Sequence, residues 1–166
     1  MKKALEALNG LERDGVLGRY AIGGAMGATF YVEPFTTFDL DVFVVLPETG
    51  GLVTLAPLYG ELSRRGYPAQ DECVMIEGIP VQFLPAGTPL LDEALAQARE
   101  VPYADVQTRV FSPEHLVAVA VQAGRAKDRQ RVQMFLDAGV LDRARLDDVL
   151  KRHGLLEKFT RWTRSA

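Results

Sequence analysis

The sequence contains few of the residues on which several common kinds of site depend. Cys73 is the single cysteine in 166 residues, so no internal disulfide can form, and the two histidines complete no zinc-binding cluster. We expect Cys73 to be a core residue rather than a nucleophile, in a reducing cytosol. His115 and His153 indicate no Ser-His-Asp triad, and His115 is predicted to be a surface residue.

Long apolar runs and the common nucleotide-binding motifs are also missing. No stretch approaches the roughly 20 apolar residues that span a bilayer. The first 15 residues show an amphipathic helical pattern with acidic side chains, which is unlike a secretion signal. Neither a Walker nor a Rossmann glycine motif is present. We therefore expect a soluble, cytoplasmic protein with no membrane partner.

The composition is that of an ordinary globular protein, but its charge is divided unevenly. Apolar residues make up 48% and charged residues 25%, and the net charge is −3. Residues 1–111 hold 8 Lys/Arg and 15 Asp/Glu, whereas residues 112–166 hold 11 and 7. Either two complementary surfaces pack on each other, or an acidic metal site faces a basic segment that binds an anionic substrate.

Strand and helix patterns alternate as far as residue 111, and only helical patterns follow. The predicted helices of the first part lie at about 2–14, 25–31, 52–65 and 90–100. Its predicted strands lie at 19–22, 36–45, 72–77, 79–85 and 101–111, the last as one strand or a small hairpin, and loops are predicted at 32–38 and 47–51. The later helices are predicted at 112–124, 127–138, 142–152 and 155–162. These patterns predict an α/β (α+β) core at 1–111 and a helical lobe at 112–166, together forming one compact unit.

Two aspartates stand at the head of the strand TTFDLDVFVV, residues 36–45. Asp39 and Asp41 are two apart, so their side chains share one face of the strand. Neighbouring carboxylates repel each other and resist desolvation, and a divalent cation removes both costs. Oxygen ligands on a rigid strand suit Mg²⁺, which also binds phosphate oxygens of a substrate. The alternative is a pair of solvent-exposed aspartates without a metal.

Gly23 and Gly24 follow the strand RYAI and lead into a helix of small residues. Glycines let the backbone approach a phosphate, and amides at a helix N-terminus favour anions. A tight strand-to-helix turn without a ligand is the alternative. Together with the two carboxylates, the glycines indicate phosphoryl or nucleotidyl transfer, in which positioning and charge neutralisation provide most of the catalysis.

The stretch YAIGGAMGATFYVEPFTTFDLDVFVV resembles the signature of the DNA polymerase β-like nucleotidyltransferase superfamily, with a spacer of 14 residues that is slightly longer than usual. Over residues 18–160 the chain is also similar to small bacterial nucleotidyltransferase-like proteins grouped with the AbiEii-type toxins of type IV toxin–antitoxin systems, on IGG, DLDVFV, IPVQFLP and GRAKDRQRVQMFL. The resemblance implies a minimal nucleotidyltransferase sheet followed by a helical lobe. It implies transfer of a nucleoside monophosphate from a nucleoside triphosphate (NTP), with Mg²⁺, to a hydroxyl of RNA, protein or a small molecule. A toxin role would add a cognate antitoxin as partner.

Applied to single residues, the resemblance implies that Gly23 and Gly24 contact the triphosphate of the nucleotide. Asp39 and Asp41 would be catalytic and would bind one or two Mg²⁺ ions. The superfamily's third carboxylate aligns with Gln82 in IPVQFLP. Because an amide is a weaker metal ligand than a carboxylate, Gln82 is a departure from the pattern.

Three consequences of Gln82 stay open. Turnover is low, or another carboxylate such as Glu72 or Glu77 replaces the missing one, or catalysis is weakened or lost. In the last case the protein would be a nucleotide- or protein-binding module with a nucleotidyltransferase fold.

A basic segment, GRAKDRQR, begins the helix predicted at 127–138. Lys127 and Arg131 are four apart and share a helix face, and Arg125 precedes them. A solvated helix face explains such a charge run without a ligand, but the resemblance favours nucleotide binding by Arg125, Lys127 and Arg131. Asp128 is predicted to face inward and to orient these cations rather than to bind metal.

Overall fold

The computed structural model describes residues 1–46 and 54–164, and the loop predicted at 47–51 lies outside them. The helices are α1 (Lys2–Arg13), α2 (Gly24–Ala28), α3 (Ala56–Arg64), α4 (Pro89–Ala96), α5 (Pro113–Ala123), α6 (Ala126–Ala138), α7 (Arg143–Arg152) and α8 (Leu156–Arg164). The strands are β1 (Tyr20–Ile22), β2 (Leu40–Val44), β3 (Ala69–Gln70), β4 (Cys73–Ile76), β5 (Ile79–Pro85), β6 (Arg99–Tyr103) and β7 (Val106–Val110). Among the described helices, none is both long and apolar enough to cross a bilayer.

The strands form one mixed sheet in the order β3-β4-β5-β2-β1-β7-β6. The central strand β2 runs antiparallel to β1 and parallel to β5. Strand β7 is parallel to β1, and β4 and β6 pair with β5 and β7 as antiparallel hairpins. A mixed sheet flanked by helices confirms the predicted fold class.

Alternation along β2 divides the strand between two cores. Leu40, Val42 and Val44 face a core that α1 and α3 cover. Phe43 faces the other core, which α4, α5, α6, α7 and α8 cover. Because side chains two apart share a face, Asp41 lies on the same side as Phe43, beneath the C-terminal helices. The division of the chain at residues 111 and 112 stays a prediction.

The helix predicted at 90–100 is too long. Helix α4 ends at Ala96, and β6 already begins at Arg99. Arg99 pairs with Val110 in the β6–β7 hairpin, so sheet pairing replaces the helical conformation that the local pattern favours.

Two further boundaries differ from the prediction. The strand predicted at 36–45 is shorter and begins at Leu40, so Asp39 immediately precedes it. The described part of the helix predicted at 52–65 is helical only from Ala56. The edge strand β3 was not predicted because its two residues are exposed and show no apolar alternation. Cys73 is half-buried rather than a core residue.

His115 is fully buried, so the prediction of a surface residue is wrong. Its Nδ1 lies 2.9 Å from Ser112 Oγ and its Nε2 lies 3.1 Å from Glu93 Oε1. Burial lowers the pKa of His115. The three groups follow the order of a catalytic triad, but Ser112 and His115 are inaccessible and Ser112 caps α5, so their role is structural. The first turn of α5 is buried because α4 packs on it, which sequence spacing does not show.

Glu93 joins three helices. From α4 it contacts His115 of α5, and it accepts hydrogen bonds from Arg152 Nη2 at 2.9 Å and from the neighbouring His153, whose Nε2 lies at 2.8 Å. The Arg152 bond is the largest cause that lowers the pKa of Glu93 from 4.5 to about 2.

Replacement of this carboxylate should weaken the fold in a pH-dependent way. We expect Glu93→Gln to lower the free energy of unfolding at pH 7 by about 1.5–3 kcal/mol, because hydrogen bonds to a charged acceptor are lost. Since the folded pKa is the lower one, this stabilisation is complete above pH 4.5 and is lost as the pH falls through about 2. Urea denaturation across this pH range should show the two proteins converging in acid. Glu33→Gln, at an exposed loop position, is the control, and a pH-independent difference would contradict the argument.

Candidate active site

The sheet register brings the predicted glycines, carboxylates and Gln82 together at the centre of the molecule. Asp41 is the parallel-strand partner of Gln82 on β5. At the end of β1, the Gly23 amide donates a hydrogen bond of 3.0 Å to the carbonyl oxygen of Asp41. Asp39 immediately precedes β2, and its charge acts on Asp41.

The two glycines make room for side chains of β2. A Cβ atom on Gly24 would lie 1.6 Å from Asp41 Oδ2, and Gly24 has a φ of +56°. A Cβ atom on Gly23 would lie 2.4 Å from the ring of Phe43. The Ala25 amide lies close enough to the Asp41 carboxylate to lower its pKa. The glycine turn therefore fixes Asp41, and a contact of Gly23 and Gly24 with a triphosphate stays a prediction.

Gly24→Ala should disturb both the turn and the carboxylate. The left-handed backbone alone costs a residue with a Cβ atom about 1–2 kcal/mol, and displacement of Asp41 adds to that. Gly10→Ala is the matched control, because Gly10 lies within α1 and a Cβ atom there meets nothing within 4 Å. Alanine in a helix should stabilise by about 0.5–1 kcal/mol. Urea denaturation measures both effects, and a stabilised Gly24→Ala variant would contradict the packing argument.

Asp41 is a half-buried carboxylate whose charge the protein compensates only in part. Burial is the main cause that raises its pKa, and the charge of Asp39 adds to it. The Ala25 amide and the guanidinium groups of Arg131 and Arg125 act in the opposite direction. A cation beside Asp39 and Asp41 would supply the missing compensation.

The donor set fits Mg²⁺ better than a softer metal. Asp39 and Asp41 supply carboxylate oxygens and Gln82 an amide oxygen, which are hard ligands. The structure, as far as it describes the chain, contains no group of three His, Cys, Asp or Glu side chains placed to hold a metal. Mg²⁺ accepts such a site because one or two carboxylates suffice when water and substrate phosphates complete its ligands.

Gln82 is hydrogen-bonded to one of its two predicted replacements. Its Nε2 lies 3.3 Å from Glu72 Oε2, which leaves Oε1 as the acceptor of the amide. Glu72 is exposed before β4. Glu77 instead occupies the β4–β5 turn, where its carboxylate accepts a hydrogen bond of 3.3 Å from the Tyr67 hydroxyl.

Helix α6 presents a cluster of cations held by a buried carboxylate. Asp128 is 0% exposed and accepts hydrogen bonds from Arg125 Nε at 2.6 Å and Arg131 Nη1 at 3.2 Å. Asp128 therefore faces inward and orients cations, as predicted. Arg131 Nε is buried and has no hydrogen-bond partner among the described residues. Such a donor suits a phosphate oxygen.

Two cavities meet at Arg131 on the sheet face that carries the aspartates. The smaller has a volume of 180 Å³, and the larger has a volume of 400 Å³. The predicted site residues on the smaller cavity are Gly24, Asp41, Gln82, Arg125 and Arg131. Those on the larger are Asp39, Lys127 and Arg131. Every predicted site residue except Gly23 lines one of the two cavities, and Gly23 adjoins Gly24 in the turn.

Solved structures show which fold this is. No family model and no curated protein sequence matches the chain. An antigenic nucleotidyltransferase-like protein from Paracoccidioides brasiliensis is 12% identical, with a TM-score of 0.60 over 82% of this chain and 75% of that chain. The chain has the nucleotidyltransferase fold.

The antibiotic-resistance factor ANT(2'')-Ia shares this nucleotidyltransferase fold. Its crystal structure in complex with adenylyl-2''-tobramycin is 15% identical, with a TM-score of 0.57 over 95% of each chain. Its solution structure is 14% identical, with a TM-score of 0.54 over 95% of each chain. The fold that the resemblance implied is confirmed, and the AbiEii-type assignment stays a prediction.

Two side chains on the larger cavity were missed by the sequence reasoning. Phe38 is 81% exposed and Gln130 lines the opposite wall on α6. Phe38 lies where the predicted loop 32–38 and the predicted strand 36–45 overlap, so the sequence left its burial undecided. Its exposure follows from the later start of β2, which the sequence pattern does not show. Among the described residues, those that line a further cavity of 640 Å³ near Trp162 include no carboxylate.

Proposed function

We propose that the protein is a Mg²⁺-dependent nucleotidyltransferase that transfers a nucleoside monophosphate from an NTP to a hydroxyl of an acceptor. The observation that carries the proposal is the arrangement of charge at the centre of the nucleotidyltransferase sheet. Asp39 and Asp41 lie on one side of the two cavities, and Arg125, Lys127 and Arg131 lie on the other. A nucleotide with its metal needs both signs of charge within one site.

Each group has a role in the proposed reaction. Asp39, Asp41 and the amide oxygen of Gln82 would hold Mg²⁺, which neutralises phosphate charge and lowers the pKa of the acceptor hydroxyl. Arg125 and Arg131 bind phosphate oxygens and orient the leaving group. The acceptor oxygen bonds to the α-phosphorus while the bond to the bridging oxygen breaks. Pyrophosphate leaves with that electron pair, and the hydroxyl proton passes to solvent.

A second candidate is a nucleotide-binding module with weakened or lost catalysis. Gln82 favours it, because a neutral amide stands beside Asp41 where the superfamily has a carboxylate, and the amide is bonded to Glu72. Such a protein would bind an NTP without transferring it.

The toxin role implied by the AbiEii-type resemblance belongs to the same proposal, with RNA or protein as acceptor and an antitoxin as partner. Induced expression in a bacterial host should then arrest growth, and the Asp41→Asn variant at equal expression should not. Growth arrest by both proteins would argue against a toxin that acts through transfer.

Transfer of label separates the two candidates. The protein is incubated with each α-labelled NTP, Mg²⁺ or Mn²⁺, and a pool of tRNA and proteins. Label that reaches an acceptor, and that Asp41→Asn abolishes, supports the enzyme. Mg²⁺-dependent NTP binding without transfer supports the binding module.

Gln82→Asp should raise the rate of transfer if the missing anion limits it. The reason is that a carboxylate beside Asp41 would give a second metal ion its third anionic ligand. Initial rates at saturating NTP measure the effect, with Gln70→Glu on the exposed strand β3 as control. An unchanged or lower rate would refute this account of Gln82.

A further inference from the structure

Phe38 is an exposed aromatic side chain at the edge of the candidate active site. It is 81% exposed, more than the other large apolar side chains found exposed, Val45 at 48% and Val140 at 37%. A single exposed apolar residue is ordinary on a protein surface. Phe38 is different in its place, because it immediately precedes Asp39 and lines the 400 Å³ cavity with it.

The wall of this cavity combines three kinds of chemistry. Phe38 and Met134 supply apolar surface, and Gln130 supplies an amide that can both donate and accept. Lys127 and Arg131 supply positive charge next to the candidate metal ligands. A molecule that matches this wall has a flat apolar part, polar edges and an anionic end.

The volumes of the two cavities indicate which part of a nucleotide each can hold. Small-molecule sites usually have volumes of about 300–1,000 Å³. The 400 Å³ cavity lies within that range, and the 180 Å³ cavity lies below it. The smaller cavity, with Arg125 and Asp41 on its wall, therefore suits phosphate groups rather than a nucleoside.

We propose that the 400 Å³ cavity is the nucleoside subsite and that the base of the NTP stacks on the ring of Phe38. The α-phosphate then lies at Arg131, which borders both cavities, and the remaining phosphates extend toward Arg125. Gln130, whose amide can both donate and accept, is placed to hydrogen-bond an edge of the nucleoside. This inference rests on the proposed function, since it names where the nucleotide of that reaction binds.

Binding measurements distinguish the contribution of the nucleoside to affinity from that of the phosphates. The probes are the α,β-methylene analogues of ATP, CTP, GTP and UTP, which cannot undergo transfer, and inorganic tripolyphosphate. Isothermal titration in Mg²⁺ buffer is carried out on the wild type, Phe38→Ala, Phe38→Trp and Gln130→Ala, with Val140→Ala as the matched exposed apolar control. Thermal unfolding of each variant checks the fold, which an exposed side chain should leave intact.

Phe38→Ala should lower the affinity for those analogues that the wild type binds by about 10-fold or more, because base–aromatic stacking is lost. The affinity for tripolyphosphate should stay within about 2-fold of the wild-type value. Phe38→Trp should retain affinity. Gln130→Ala should change the order of preference among the four analogues. Val140→Ala should leave the affinities for the analogues and for tripolyphosphate unchanged.

The contrary outcomes are distinct. Unchanged affinity for every analogue in Phe38→Ala overturns the subsite, as does an equal loss for analogues and tripolyphosphate. If Phe38→Ala slows transfer while nucleotide affinity is unchanged, the cavity holds the acceptor instead and the inference fails. If the wild type binds neither the analogues nor tripolyphosphate, the proposed function itself fails.

Discussion

Asp41→Asn is expected to abolish nucleotidyl transfer and, in the absence of a divalent cation, to make the protein more stable. Loss of transfer should exceed about 100-fold, since even outer partners of metal ligands contribute 10- to 100-fold. The gain in stability has an electrostatic cause. Burial, with the nearby charge of Asp39, raises the pKa of Asp41, so the folded state opposes its ionisation.

The sign of the pH dependence follows from that shift. Because the folded pKa of Asp41 lies above the ordinary value of 3.8, the stability linked to its protonation is complete below 3.8. It is lost as the pH rises through the folded pKa. Because asparagine carries no charge, the Asp41→Asn variant does not lose this stability as the pH rises. The variant should therefore melt above the wild type at pH 7, by about 2–4 °C for each kcal/mol removed, and the difference should disappear in acid.

Mg²⁺ should reverse the order of thermal stability of the wild type and Asp41→Asn. A cation that binds the Asp39–Asp41 pair stabilises the folded wild type by mass action, whereas the variant has lost a ligand. Thermal unfolding with and without Mg²⁺ tests this, and Asp137→Asn, at an exposed position on α6, controls for the substitution itself. A wild type that gains no stability from Mg²⁺, with or without NTP, would remove the basis for a metal at this pair.

The sequence was sufficient for the parts of the site that are local in the chain. Asp39 and Asp41 are two apart in the chain, and the charge of Asp39 acts on Asp41 in the structure, although β2 begins only at Leu40. Gly23 and Gly24 follow the end of β1 at Ile22, as predicted. The position of Gln82 beside Asp41 does not follow from local spacing. It depends on parallel pairing of β2 with β5, which are separated in the chain by α3 and the β3–β4 hairpin. Spacing within a strand carries no information about such a pairing.

The orientation of the basic segment also depended on long-range packing. The sequence predicted that Arg125 and Arg131 lie on a helix, but their approach to Asp41 requires α5 and α6 to cover the sheet face that carries Phe43. The failed prediction for His115 has the same origin, because packing of α4 buries a turn whose sequence looks exposed. Local pattern indicates most elements, with exceptions at β3 and at the end of α4, and contacts between distant elements determine which side chains meet.

Asp128→Asn should be the most destabilising single substitution in the cluster. Removal of one partner of a buried ion pair costs about 3–5 kcal/mol, because the other charge is left without compensation. Here the uncompensated partner is Arg131, whose side chain is 11% exposed, since Arg125 at 58% can turn toward water. We expect urea denaturation to show a loss of at least about 3 kcal/mol. Asp137→Asn, an exposed acid on the same helix, should change the free energy of unfolding by less than about 0.5 kcal/mol.

A second substitution distinguishes the effect of Asp128 on stability from the effect of Arg131 on phosphate binding. In Asp128→Asn/Arg131→Met the buried charge is removed with its partner, so much of the lost stability should return. The double variant should still bind tripolyphosphate more weakly than the wild type, because it lacks Arg131, whose buried Nε has no hydrogen-bond partner among the described residues and suits a phosphate oxygen. If the double variant regains stability and phosphate affinity together, Asp128 acts on the fold alone. If the single variant is as stable as the wild type, Asp128 and Arg131 do not form the buried pair that positions the cations opposite Asp41.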